Sequence, residues 1–292
     1  MNRTRSIAAP ARARLLALSA AALMVAVGAS SAGAQRGGRR GGFGQYFGGN
    51  VGPNDFYVPP DFHGNPLYDG RFTFARIEYR GGDHWSGREG PGWSHDYPDA
   101  DEHLMRIVRE VTAMHPFVEK GPILGGAIVA LDNPLLFKYP VAYLSEPGGW
   151  HPNANEVGAL RMYLAKGGFI VFDDFNRYDM VNLVQIMQTA VPGGQWVHLD
   201  GTEPIFNAFF KIDVKLVAQQ CMQDYRSCYR GIPQYWALYE NNDPTRRIIA
   251  LANVDADIGE FWQWSGQGFY PVAESNEAYK LGVNYMVYAL TH

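Results

Sequence analysis

The chain has 292 residues, with 25 basic and 29 acidic side chains, and 47% of it is hydrophobic. That is enough apolar material for one sizeable buried core. The acidic balance, with no basic tract in the body of the chain, excludes a dedicated nucleic-acid binder.

The first 34 residues read as an export signal. Arg3, Arg5, Arg12 and Arg14 make a basic start without an acid, Leu15–Ala29 is an apolar run, and Ala32–Ala34 supplies a small-residue cleavage site. The run is shorter than the roughly 20 residues of a membrane span, so cleavage rather than anchoring is expected. No Cys follows it to accept lipid, and the arginines are not adjacent, as a twin-arginine signal requires. Cleavage after Ala34 leaves 258 residues, removes four of the 25 basic residues and none of the acids, and brings the net charge to −8. The expected location is periplasmic or secreted, with no membrane span in the product.

Residues 35–70 form a Gly/Arg-rich tether and lead-in, too poor in apolar side chains to build a core. Residues 71–292 then read as a single α/β domain. FTFARIEYR (72–80) is a strand, apolar at alternate positions. DADEHLMRIVREVTAMH (99–115) is an amphipathic helix with an Asp cap and Leu104, Ile107, Val108 and Val111 on one stripe. AIVALD (127–132) and VAYLSE (141–146) are short apolar strands ending in acids. NANEVGALRMYLAKGG (153–168) is a helix opened by an Asn cap and stopped by glycines. FIVFDD (169–174) is the next strand and MVNLVQIMQTAV (180–191) the next helix, with Asn176 and Asp179 placed to cap it. WVHLD (196–200) and RIIALAN (247–253) are strands, and SNEAYKLGVNYMVYALT (275–291) is a closing helix. The stretch 201–234 is irregular. Strands that alternate with helices and are nearly continuously apolar predict a mostly parallel sheet covered on both faces, a three-layer α/β/α sandwich.

Ligands of such sheets bind outside the carboxyl ends of the strands. Asp132, Glu146 and the pair Asp173–Asp174 arrive there, with Trp150 and His151 after Glu146, and Asn253, Asp255 and Asp257 after a later strand. Adjacent strand residues point to opposite faces, so only a turn after Phe172 lets one aspartate enter a shared crevice. The ligand-binding candidates are Glu146, Trp150, His151, Asp173, Asp174 and Asn253. A divalent metal on Asp173, Asp174 and His151 is the alternative; otherwise no cofactor is expected. His84, His95 and His103 fit no zinc spacing and read as single surface histidines. Trp85, Trp93, Trp150, Trp262 and Trp264 lie beside acids and amides, as in a sugar-binding groove, while core cover is their plainer reading. Cys221 and Cys228, an even close pair in an exported chain, read as a disulfide closing a small loop. No nucleophile elbow of the G-x-S-x-G kind is present.

At YLSEPGGW (143–150), LRMYLAKGGFIVFDDF (160–175) and NEAYKLGVNYMVYALT (276–291), and at FARIEYRGGDHW (74–85), the chain resembles a bacterial family catalogued as domain of unknown function 4159. The resemblance covers nearly all of the folded part. It implies a class I glutamine-amidotransferase-like, flavodoxin-like fold. In amidotransferases of that fold the nucleophilic Cys follows a central strand; the matching turn here, Phe172–Phe175, holds aspartates, which argues against glutaminase activity. The resemblance brings no established catalytic residues. The expected function is non-catalytic binding of a polar ligand, such as a carbohydrate, in an acidic crevice with an aromatic rim. A metal-assisted hydrolase using Asp173, Asp174 and His151, or an envelope scaffold for a protein partner, are the alternatives.

Overall fold

Alternation between an extended and a helical hydrophobic period is realised in order along the chain. The computed structural model describes residues 64–80, 91–117, 126–214 and 233–292. They form β1 (Phe74–Glu78), α1 (Asp99–Val111), β2 (Gly126–Ala130), β3 (Val141–Ser145), α2 (Ala154–Ala165) and β4 (Phe169–Phe175). There follow α3 (Met180–Ala190), β5 (Val197–Leu199), β6 (Gln234–Tyr239), β7 (Ile248–Val254), α4 (Ile258–Gln263) and α5 (Val272–Thr291).

The strands make one sheet in the order β2-β1-β3-β4-β7-β6-β5. β2, β1, β3, β4 and β7 run parallel, which is the flavodoxin-like order, and β6 and β5 add an antiparallel edge. The period of two sorts their side chains into two cores. Phe74, Val141, Tyr143, Phe169, Val171 and Leu251 pack with Leu104 and Val108 of α1, Phe261 of α4 and Leu281 of α5. Ala75, Ile77, Ala142, Leu144, Ile170 and Phe172 pack with Leu160 and Leu164 of α2 and Leu183 and Met187 of α3. Helices therefore cover both faces, and the three-layer sandwich expected from the sequence is the observed architecture.

Local signals set the helix ends. Asn153 caps α2 through Asn155 and Glu156 N–H, and Glu156 returns a bond to Asn153 N–H. Gly167, at φ +103°, ends that helix in a conformation side chains resist. Two expected caps are not made: α1 starts after Pro98 without a side-chain cap, and Asp179 precedes α3 but accepts from Asn176 instead. β6 and α4 were not anticipated. The first is a short antiparallel strand at the end of the stretch read as irregular, and the second is a six-residue turn of helix. Part of that irregular stretch is fastened by buried Asn284 of α5, which donates to Ile205 and Phe210 carbonyls and accepts from Phe209 and Phe210 N–H. Among the described residues no helix is long and apolar enough to cross a membrane. Cys221, Cys228, His84 and Trp85 lie outside the described residues.

One ion pair stands inside the first core. Arg76 of β1 is fully buried, and its guanidinium grips Asp101 of α1 through Nε (3.2 Å) and Nη2 (2.5 Å). Nη1 donates to the carbonyls of Trp93 (3.0 Å) and His95 (2.9 Å), and the group lies 5.0 Å from the ring centroid of Tyr143. Burial pulls the Arg76 pKa down, and the charge and hydrogen bonds of Asp101 more than offset that pull.

Removing one partner of such a pair strands the other charge in the core. Arg76→Met is therefore expected to lower stability by about 3–5 kcal/mol in chemical denaturation. The double substitution Arg76→Met with Asp101→Leu recovers part of that loss. At the end of β1, burial pushes Glu78 up to about 7, with Asp132 adding to the rise and Arg80 opposing it. A carboxyl whose folded pKa is raised is stabilising while protonated, and that contribution is lost as pH rises toward the folded value. Melting temperatures of Glu78→Gln against the parent should diverge in the variant's favour between about pH 4.5 and 7.

Candidate functional site

The carboxyl end of β4 is where the sheet stops being regular. Phe172 pairs with Ala252 of β7 and Phe175 with Val254, so Asp173 and Asp174 together face the single residue Asn253. That is a β-bulge, and Asp174 takes up the extra length at φ +56°. The two aspartates, adjacent in sequence, are thereby given different tasks.

Asp173 keeps the strand alternation and points, with Phe169 and Val171, into the core beneath α1 and α5. It is fully buried and accepts four hydrogen bonds. Tyr143 Oη (2.7 Å), Ile258 N–H (3.0 Å) and Gly259 N–H (3.2 Å) reach Oδ2, and Asn253 Nδ2 (2.9 Å) reaches Oδ1. Asn253 in turn accepts from Tyr285 Oη of α5. Burial raises the Asp173 pKa above the ordinary carboxylate range, the bonds from Tyr143 and Asn253 pull it back, and nearby Asp174 adds to the rise. This carboxylate ties the first turn of α4 to β3, β4 and β7.

Asp174 turns toward the segment after β1, and its Oδ2 lies 2.7 Å from His95 Nδ1. His95 is held in place through its own carbonyl, which accepts from Arg76. Asp96 follows at φ +64° and is 3% exposed. Its Oδ1 is 3.6 Å from His95 Nδ1, and neither carboxylate oxygen has a hydrogen-bond partner among the described residues. Asp257, also buried, enters from the loop after β7 and accepts from Glu260 N–H at the start of α4. One ligand atom from each of His95, Asp96, Asp174 and Asp257 falls within 4.8 Å of the others. Gly259 makes the grouping possible: a Cβ there would sit 2.4 Å from Asp96 Oδ2 and 2.9 Å from Tyr143 Oη.

Three ionised carboxylates at this spacing repel by about 3 kcal/mol per pair or more, even at an effective dielectric near 20. Burial drives the Asp96 pKa well up; His95 and Arg76 oppose that rise, and Asp174 and Glu260 reinforce it. The cluster therefore favours a proton or a cation. Its opening to solvent is the His95 ring, whose side chain is 16% exposed.

The residues expected from sequence divide accordingly. Asp174 is in the cluster, while Asp173 and Asn253 bond each other behind it and hold α4 and α5 against the strand ends. Glu146 flanks it: at φ +50° after β3, its side chain covers Gly92, where a Cβ would meet Oε2 at 2.2 Å. Tyr79 Oη donates to the Glu146 carbonyl at 2.8 Å. Trp150 corrects the expectation of a rim residue, because it is fully buried against Phe172 (5.6 Å) on the α2–α3 face. Trp93 and Trp262 are core residues too, so none of these three rings offers a face to a sugar. His151 is exposed beside the cap of α2 and is not in the cluster. Asp132 is exposed, and Asp255 binds Arg177 through both Nε and Nη2. His103 bonds the Trp262 carbonyl and so joins α1 to α4.

His95, read as a surface histidine, and Asp96, not singled out at all, are the ones sequence reasoning missed. The available signal was the dipeptide itself, a histidine and an acid in the connection that leaves the carboxyl end of β1. Asp173→Ala would leave two side-chain and two backbone donors without an acceptor. At about 1–3 kcal/mol for each buried unsatisfied group, a loss of at least about 3 kcal/mol is expected by denaturant titration.

A family profile described as Domain of unknown function (DUF4159) matches residues 73–290. No match to the chain is found among curated proteins.

Proposed function

The chain belongs to the DUF4159 family, and from that premise we propose that it is an exported envelope protein that binds a polar ligand at the carboxyl edge of its sheet without transforming it. The observation that carries this reading is the His95–Asp174 pair, 2.7 Å apart, with Asp96 and Asp257 gathered around it. Open parallel sheets receive ligands at this edge, where strands end and loops diverge. The leader-like first 34 residues support delivery outside the cytoplasm. Against thiol chemistry, the turn at which amidotransferases of the resembled fold carry their cysteine here carries Asp174 in a bulge.

Calorimetry of the mature protein against glycan and small-metabolite panels tests the reading. A ligand is expected whose affinity falls about tenfold or more in Asp174→Asn and in His95→Gln, the cost of one hydrogen bond to a charged group. Silence across both panels overturns it. A second reading, hydrolysis, is favoured by the same pair, since a carboxylate bound to an imidazole raises the basicity of the ring, as a general base requires. Turnover of ester, amide or glycoside substrates that disappears in His95→Gln would replace binding by catalysis.

A further inference from the structure

We infer that His95, Asp96, Asp174 and Asp257 form a binding site for a divalent transition cation of the Zn²⁺ or Mn²⁺ class. The inference deepens the binding reading and rests on it, since the cation would anchor the polar ligand. The site's spacing is close to that of one ion's ligands. At about 2.0–2.2 Å from the centre these lie about 3.4 Å apart around a tetrahedral ion and about 3 or 4 Å apart around an octahedral one, so the four groups would draw in slightly on binding. The four groups here present atoms within 4.8 Å of one another, one from each residue. The 2.7 Å approach of His95 Nδ1 to Asp174 Oδ2 is slightly closer than two ligands of one ion, so a cation would enter by replacing the proton they share and parting them by a few tenths of an ångström.

A cluster of acids is common without any ion, and Asp96 separates this one from that background. It is 97% buried. Neither of its oxygens has a hydrogen-bond partner among the described residues, and its carboxylate faces the cluster at 3.6 Å from His95 Nδ1. The nearby guanidinium of Arg76 directs its hydrogen bonds to Asp101 and to the carbonyls of Trp93 and His95. A buried carboxylate without donors must take up a proton or coordinate a cation, and the three other ligand groups around Asp96 supply the rest of a coordination shell. Asp96 and Asp174 both hold left-handed backbone conformations, and Gly259 leaves the space that a side chain would take from Asp96 Oδ2. The donor set selects the ion: an imidazole nitrogen with three carboxylates suits a borderline dication, whereas Ca²⁺ takes six to eight oxygens at about 2.3–2.6 Å. Asp173 is not a ligand, because its two oxygens already accept four hydrogen bonds.

The test uses the mature protein without a histidine tag, stripped with chelator and titrated calorimetrically with Zn²⁺, Mn²⁺, Mg²⁺ and Ca²⁺. Thermal melting is followed in parallel. One equivalent of Zn²⁺ or Mn²⁺ is expected to bind and raise the melting temperature, with Mg²⁺ and Ca²⁺ at least about tenfold weaker. Asp96→Asn keeps shape and burial but loses the charge, and should weaken binding by about tenfold or more. His95→Gln supplies the same readout should Asp96→Asn fail to fold, and Asp132→Asn, at an exposed acid, should leave binding unchanged. No uptake by the stripped parent protein overturns the inference. So does equal, weak binding of all four ions, or binding that survives both Asp96→Asn and His95→Gln. A polar organic ligand captured by stripped protein that takes up no cation would leave the binding reading standing while the cation site falls. A bound cation with no organic ligand would do the reverse.

Discussion

A guanidinium buried between a strand and a helix organises the first turn of loop that the carboxyl edge depends on. Arg76 has five donor hydrogens and no way to lose its charge, so its burial demands acceptors from several directions at once. Asp101 supplies two, and the carbonyls of Trp93 and His95 supply two more. The pair itself is weak evidence for stability, because desolvating both charges costs as much as their attraction returns. Its value is positional. Two carbonyls of a short irregular segment are fixed to β1, and the side chains of His95 and Asp96 are thereby delivered over the end of β4.

The bulge in β4 is the second constraint. Inserting one residue opposite Asn253 breaks the alternation that would have sent Asp173 and Asp174 to opposite faces. Asp173 remains in the core, where four donors hold it and through it the start of α4. Asp174 is released toward His95. Asp173 thus helps fix the surroundings of Asp174, since α4 also carries Gly259 against Asp96 and follows directly on Asp257. Packing, backbone geometry and charge are coupled within a few residues of one strand end.

Local strain collects at the same edge. Asp96, Glu146, Asp174 and Asp255 all hold positive φ, a conformation that costs a side chain of order 1 kcal/mol or more. Each lies in a connection leaving the carboxyl end of a strand or, for Asp174, within the bulge. The opposite faces of the sheet are filled by large apolar side chains in regular conformations, and they supply the surplus stability that such positions require. A second acid group, Glu78 at the end of β1 and Asp132 after β2, lies along this edge without joining the cluster.

The sheet, its two helical layers and its parallel core were legible in the sequence, because burial of strands on both faces writes itself as continuous apolar runs between amphipathic helices. The Asn153 cap and the edge at which acids accumulate were legible for the same reason: each depends on a few neighbouring residues. β6, paired on both sides between β7 and β5, escaped because it directly follows the stretch read as irregular, and α4 escaped because six helical residues carry too little periodicity to be distinguished from loop. The partners of the acids were decided by tertiary structure alone. Only the bulge separates Asp173 from Asp174, only the Arg76 clamp brings His95 and Asp96 to Asp174 across 79 and 78 positions of sequence, and only close packing sends Trp150 inward and leaves His151 outside. Contacts between distant residues follow from how elements pack in three dimensions, and the spacing of residues along the chain does not record that packing.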